Sequence, residues 1–251
     1  EDMENQRLLI HSEQGYGDVI QFCRYLPQVL ALCKDVVFEV PKALVTLAST
    51  LHSSISVIPK GSDRGNIDAY CSVMSLPHIF KTTVETIPHD IPYLYCDPLK
   101  VARWQEVLGA KQRLRVGLAW SGSIDHKNDH KRSMPLEALL PILELPIDFH
   151  SLQKEYREQD QAVLDKQVNI HQHQPDLIDF SDTAALIQCM DLVISVDTSV
   201  VHLAGAIGQE VWALLPFVPD FRWMLDRQDS PWYPTARLYR QQQPAEWSNV
   251  I

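Results

Sequence analysis

Three short stretches carry the residue types that handle anions and protons. The richest is Val196-Asp197-Thr198-Ser199-Val200-Val201-His202-Leu203-Ala204-Gly205-Ala206, where an apolar strand run gives way to two hydroxyl residues and then to helical spacing. A helix begins with unpaired N–H groups and the positive end of its dipole, so this junction suits a phosphate or pyrophosphate. Thr198 and Ser199 add hydroxyl donors, and the dipole favours a neutral, hydrogen-bonding ring at His202. The same residues also read as an ordinary cap, with Thr198 or Ser199 closing the helix end and His202 partly buried.

The second stretch follows Trp120-Ser121-Gly122-Ser123 and runs Ile124-Asp125-His126-Lys127-Asn128-Asp129-His130-Lys131-Arg132-Ser133. It is a polar loop at the C-terminal end of a strand, the end at which open α/β sheets take ligands. Lys131 and the two-pronged Arg132 would bring positive charge to a diphosphate. A solvated surface loop is the plain alternative. The third stretch, Gly15-Tyr16-Gly17-Asp18, lies where another strand turns into a helix. It lacks the G-x-G-x-x-G spacing of a dinucleotide site, but its glycines permit a tight turn and close approach by a ligand. Asp18 is then placed to deprotonate an acceptor hydroxyl, with Glu13 as its rival. The plain reading is an acid stabilising a helix N-terminus, where the dipole would also weaken it as a base.

Other candidates carry less. His171-Gln172-His173 has no carboxylate or cysteine at helical spacing beside it, which favours a loop over a metal site. Asp220-Phe221-Arg222-Trp223 and Trp232-Tyr233-Pro234 read as aromatic packing around a cleft, with Arg222 either pairing with an acid or stacking on a ring. Neither a G-x-S-x-G elbow nor a P-loop occurs.

Holding these stretches in place requires alternating strands and helices. Strand signals fall at Leu8–Ile10, Val36–Val40, Ile55–Ile58 and Ile67–Cys71, with helical spacing from Val19 to Leu30, disturbed at Pro27, and over residues 42–51. Residues 74–98, punctuated by four prolines, read as loop with short helical turns. A helix over 99–109 then leads to a strand at Leu114–Trp120, a helix from Pro135 to Leu143, and strands at Asp148–Leu152 and Ile178–Phe180. Asp182 is placed to cap a helix from Thr183 to Met190. A strand at Leu192–Val196, a helix from Ser199 to Ile207 closed by Gly208, and a strand at Val211–Leu215 complete the pattern. Such alternation implies βαβ units with mostly parallel sheets, in two Rossmann-like halves divided between 98 and 112.

Composition narrows the function. The 251 residues hold 22 Lys and Arg against 32 Asp and Glu, a net charge of -10, which argues against a nucleic-acid partner. No apolar run approaches the roughly 18 residues of a membrane span. The polar start has no signal-peptide core, and the absence of Met at position 1 reads as a piece of a longer protein. Five cysteines in apolar stretches, without C-x-x-C, read as reduced thiols of a cytoplasmic protein.

Taken together, Glu13-Gln14-Gly15-Tyr16-Gly17-Asp18-Val19-Ile20-Gln21-Phe22 and Asp197-Thr198-Ser199-Val200-Val201-His202-Leu203-Ala204-Gly205-Ala206-Ile207-Gly208 resemble the heptosyltransferase-like glycosyltransferases of family 9. Trp120-Ser121-Gly122, the His126–Ser133 loop, Ser151-Leu152-Gln153, Asp179-Phe180-Ser181-Asp182-Thr183-Ala184-Ala185 and Asp229-Ser230-Pro231-Trp232-Tyr233-Pro234 are similar to that family as well. The likeness is greatest to the bacterial subgroup in which such a unit follows tetratricopeptide repeats, which this chain does not contain. Ser123-Ile124 departs from the family's usual Asn-Pro.

The resemblance implies an α/β GT-B fold, two Rossmann-like αβα domains facing a cleft. Residues 1–105 would form the acceptor side and 106–251 the nucleotide-sugar side. It implies a metal-independent, cofactor-free inverting transfer from a nucleotide-diphosphate sugar to a protein or glycan acceptor. Asp18 would be the catalytic base. Gly15, Gly17, Trp120, Ser121, Lys131, Arg132, Gln153, Asp197, Thr198, Ser199 and His202 would line the substrate sites. A catalytically silent sugar-nucleotide-binding scaffold, or another GT-B nucleotide-sugar enzyme such as an epimerase, are the alternatives.

Overall fold

The computed structural model describes every residue except 1, 2, 4, 167 and 168, so part of the polar start lies outside the described residues. The first half folds into four parallel strands, β1 (Arg7–His11), β2 (Asp35–Val40), β3 (Ile55–Pro59) and β4 (Ala69–Ser72), in the order β3-β2-β1-β4. The second half builds six parallel strands: β5 (Arg115–Ala119), β6 (Asp148–Ser151), β7 (Ile170–His171), β8 (Leu192–Val196), β9 (Val211–Leu215) and β10 (Ala236–Arg240). Their order is β10-β9-β8-β5-β6-β7. In each sheet the winding reverses once, between β1 and β4 and between β5 and β8. A crevice therefore opens at the C-terminal ends of those strands, where doubly wound sheets bind ligands.

The expected GT-B architecture is the one observed, and local chemistry explains most of it. The β-branched run Val36–Val40 pairs with β1 in parallel register, Leu9 opposite Val37 and Ile10 opposite Phe38. The Tyr16–Phe22 helix ends where a 3-10 turn, Cys23–Tyr25, leads into Leu26–Leu30. Pro27 is thereby seated in a first turn, where a missing N–H costs little. Gly208, with φ of 79°, closes the Ser199–Ala206 helix in the left-handed region that favours glycine.

Four elements differ from the sequence reading. Ile178–Phe180 is not a strand: Ile178 is 72% exposed, and Asp179 is the N-cap of the Phe180–Gln188 helix, accepting from the Ser181 and Asp182 amides. Asp182 sits at the third helical position and accepts from the Asp179 amide instead of capping. The edge strands β7 and β10 and the Glu158–Leu164 helix are additions. The Pro98–Leu108 helix rests on the second half, where Lys100 lies 2.7 Å from Asp182 and Arg103 2.7 Å from Asp176.

The halves are not merely neighbours. One buried apolar cluster runs from Ile10, Val19, Phe22 and Leu26 into Val201, Leu203 and Trp232. A second fills the other face of the larger sheet, around Val116, Leu118, Trp120, Phe149 and Trp247. Among the described residues no helix is long and apolar enough to cross a membrane.

Candidate functional site

The start of the Tyr16–Phe22 helix, which follows β1, abuts the start of the Ser199–Ala206 helix, which follows β8. The approach is close enough that a Cβ on Gly17 would stand 2.8 Å from His202 Cδ2 and 3.6 Å from the Ser199 Cα. Gly17 thus allows the two helix ends to touch, and Asp18 is carried to the second half.

Asp18 meets a cation there. Its Oδ1 accepts from Arg222 Nη2 at 2.7 Å, while its Oδ2 accepts from the Gly15 amide at 3.2 Å. Arg222 belongs to the Phe221–Trp223 turn beyond β9. Its Nε lies 3.1 Å from Asp220 Oδ1 and its Nη1 3.4 Å from His202 Nε2. Burial works against the guanidinium charge, and the carboxylates of Asp220, Asp18 and Asp197 outweigh it, holding Arg222 above its ordinary pKa.

His202 is 1% exposed. Burial, reinforced by the charges of Arg222, Arg24 and Arg132, pushes its pKa well below the usual range, so the ring is neutral. Arg222 can only donate, which leaves the lone pair on Nε2 and the proton on Nδ1, directed at the Tyr233 hydroxyl 2.9 Å away. The 3.8 Å approach of Asp197 Oδ1 to Nε2 is therefore no ion pair. Burial raises the Asp197 pKa, and the Arg222 charge opposes that rise. Trp223 stacks on the His202 ring at 5.4 Å and fixes its plane.

The other expected residues divide into two groups. Arg132 is at the crevice, donating through Nη1 to the Asp197 carbonyl at 2.9 Å and so linking the loop after β5 to the end of β8. Lys131 beside it is exposed. Ser199 and Gly15 also lie at the helix junction. Thr198 spends its hydroxyl on the cap, accepting from the Val200 amide at 3.3 Å. Ser121 and Gln153 hold each other, the Ser121 amide donating to Gln153 Oε1 at 3.2 Å and Gln153 Nε2 donating to Ser121 Oγ at 2.8 Å. That pair shapes the loop. Trp120 is 1% exposed and stacks on Tyr156 inside the larger half's second cluster. Glu13, the rival base, is exposed and accepts from Ser72 Oγ at 2.5 Å, across the crevice between β1 and β4.

Arg222 is the member that sequence reasoning left undecided. Its alternatives were an acid partner or a ring, and it has both, since its guanidinium also lies 5.3 Å from the Phe221 ring centroid. A second cation, Arg24, is 3% exposed and has no carboxylate partner among the described residues. It donates to the carbonyls of Trp232 at 2.6 Å, Gln21 at 2.8 Å and Pro88 at 3.1 Å, and to the Tyr93 hydroxyl at 3.0 Å. The rings of Tyr93 and Tyr233 lie 4.7 Å away, so dipoles and π-faces stand in for a counter-charge.

No three His, Cys, Asp or Glu side chains among the described residues form a group suited to a metal. The nearest approximation, His150 with His171 and His173, spends its rings on stacking and on a 3.0 Å contact between His150 Nδ1 and His173 Nε2.

The glycosyltransferase family 9 (heptosyltransferase) profile matches residues 153–219, a segment that contains Gln153, the Asp179 cap and the Asp197–His202 junction. The resemblance drawn from the motifs is thus the one found. FlbA of Caulobacter vibrioides is 28% identical over 277 aligned positions, covering 100% of this chain and 46% of FlbA, so the chain spans under half of that relative. A family 9 glycosyl transferase from Veillonella parvula superposes with a TM-score of 0.66 at 10% identity, covering 96% of this chain and 87% of that one. The dodecameric iron-containing heptosyltransferase TibC of enterotoxigenic E. coli, in complex with ADP-D-beta-D-heptose, gives 0.64 at 12% identity, covering 97% of this chain and 65% of that one. At such identities the solved structures speak to the fold.

Proposed function

We propose that the chain is the transferase unit of a family 9-type glycosyltransferase. It moves a sugar from a nucleotide-diphosphate donor to an acceptor hydroxyl with inversion, in the cytoplasm and without a metal. The observation that carries this reading is the meeting, at Gly17, of the helix start that bears Asp18 with the Ser199–Ala206 helix start, each following a strand that borders its sheet's reversal. The five unpaired thiols fit a reducing compartment.

In this reading the Asp18 carboxylate takes the proton of the acceptor hydroxyl as its oxygen bonds to the anomeric carbon. The bond from that carbon to the diphosphate breaks on the opposite face, and the diphosphate leaves with the electron pair. Charge developing on the leaving group is met by amide N–H groups at the helix start and by Arg132, which are fixed before the reaction begins, and by the exposed Lys131. A positioned base contributes about 10²–10⁴-fold, so the remaining acceleration has to come from this electrostatic cradle and from alignment of the two substrates.

The direct test is incubation with UDP-, GDP- and ADP-sugars in the presence of a cell lysate from which small molecules have been removed, with glycosylated product read by mass spectrometry. A new glycoside with released nucleoside diphosphate is the expected result. Released nucleotide with the free sugar, or an epimerised sugar, points to another nucleotide-sugar reaction. The second reading, a silent binding scaffold, draws on the engagement of both Asp18 oxygens. Donor binding without any product favours it.

A further inference from the structure

Three carboxylates surround one guanidinium at the helix junction. Asp220 precedes Arg222 by two residues and also accepts from its backbone amide at 3.2 Å, so it travels with the turn. Asp197 directly follows β8 and is held among Arg222, Arg132 and the His202 ring. Of the three, Asp18 alone arrives from the other half, and it takes a 2.7 Å hydrogen bond. The Arg222 side chain is 11% exposed and that of Asp18 14%, so water screens the pair weakly.

A diphosphate entering this surrounding meets charges that only balance. Lys131, Arg132 and Arg222 offset Asp18, Asp197 and Asp220, and an anion of charge about −2 tips the sum to a negative excess. The arrangement becomes favourable if the anion takes over a guanidinium edge now given to a carboxylate. The edge held by Asp18 is the one whose release leaves Asp220 and the turn undisturbed. The turn's backbone is anchored, because Trp223 is 0% exposed and its carbonyl accepts from Arg240 Nη2 at 2.6 Å. Movement therefore falls to the Arg222 side chain.

We infer that Arg222 is shared between the base and the donor: it holds Asp18 in the ligand-free protein and passes to the leaving-group phosphates when the donor binds, which frees the Asp18 carboxylate. The inference rests on the transferase reading above and adds a positioning residue to it. With both its oxygens engaged, Asp18 is silent until the donor arrives, so base activation follows donor binding. Acceptor deprotonation without a donor is thereby suppressed.

Competition for one guanidinium has a signature that structural damage does not produce. Removing the Asp18 charge should tighten binding of a diphosphate, because Arg222 becomes free for it. Calorimetry with ADP, UDP, GDP and inorganic pyrophosphate on the wild-type chain, Asp18→Asn, Arg222→Gln and the double variant provides the test. The expected result is binding about 10-fold tighter in Asp18→Asn, about 10-fold weaker in Arg222→Gln, and no gain from Asp18→Asn once Arg222 is Gln. Arg222→Lys, which keeps the charge and loses the fork, should fall between.

If a nucleoside diphosphate binds the wild type and Asp18→Asn binds it equally or more weakly, the sharing of Arg222 is overturned while the transferase reading stands. If neither nucleotide nor pyrophosphate binds any variant, both are overturned. Circular dichroism on each variant separates a lost contact from a lost fold, and a gain of affinity in Asp18→Asn excludes misfolding by itself.

Discussion

Asp18 Oδ1 and Arg222 Nη2 lie 2.7 Å apart across 204 residues of sequence, and they join the first helix of one half to the turn beyond β9 of the other. The contact places an acid at the N-terminal, positive end of two helix dipoles and at once supplies the charge that neutralises it. Asp18→Asn is close to isosteric and keeps an oxygen for the Gly15 amide. We expect it to fold normally and to lower sugar transfer by about 10²–10⁴-fold, read as product formed per enzyme over time. Unchanged turnover would move the base elsewhere, with Glu13 the first to test. Addition of a strong chelator should leave the wild-type rate unaltered, and a loss restored by added iron would contradict the metal-independent reading.

Stability should fall as the pH drops through the histidine range. Burial, with the charges of neighbouring rings, holds His150 down at about 3; burial and then His171 hold His173 at about 4, opposed by Asp176. Unfolded histidines protonate near pH 6.5. Both folded-state values are depressed, so the stability these neutral rings contribute is present above about pH 6.5 and is lost as pH falls below it. Each ring loses about 1.4 kcal/mol per pH unit until its own folded value is reached. Urea midpoints at about pH 7.5, 6 and 5 should decline, and His150→Phe should flatten the slope.

Gly17→Ala tests the junction of the helix starts. Alanine ordinarily stabilises a helix relative to glycine, by up to about 1 kcal/mol. Here the added methyl group would lie 2.8 Å from the His202 ring, which Trp223 and Tyr233 prevent from yielding. The clash should win, at a cost of about 1–3 kcal/mol and a fall of several degrees in Tm by differential scanning calorimetry. A rise in Tm would mean that the two helix ends stand further apart.

Arg24 should matter to folding more than to chemistry. Arg24→Met keeps the length and removes every donor, leaving the buried carbonyl of Trp232 without its 2.6 Å partner. We expect a loss of about 2–4 kcal/mol in urea unfolding, with Arg24→Lys recovering part of it. A neutral Arg24→Met would show that the aromatic cage and carbonyls are content without the cation.

The sheets were legible because period and composition agreed: Val36–Val40 and Leu192–Val196 are β-branched and are followed by turn or cap residues. The cap at Asp179 was missed because the apolar side chain of Ile178, which lies in solvent, suggested a strand through Phe180 and moved the helix start to Asp182. β10 carries a period-two pattern in Ala236-Arg237-Leu238-Tyr239-Arg240, obscured by the Trp, Pro and Gln around it. Trp120 continues the alternation of Val116 and Leu118, and that phase turns it inward to their cluster. The pairing of Arg222 with Asp18 had no local signal, since the two are 204 residues apart and only packing brings them together.

Among the described residues the apolar interior continues from Val19 and Phe22 into Leu203 and Trp232 without a break between the halves. A hinge opening would wet that surface at about 25 cal/mol for each Å² exposed. In the proposed transferase, entry and exit of reactants would then fall to the guanidinium of Arg222 and to the rim where Phe217, Val218 and Phe221 already stand in solvent.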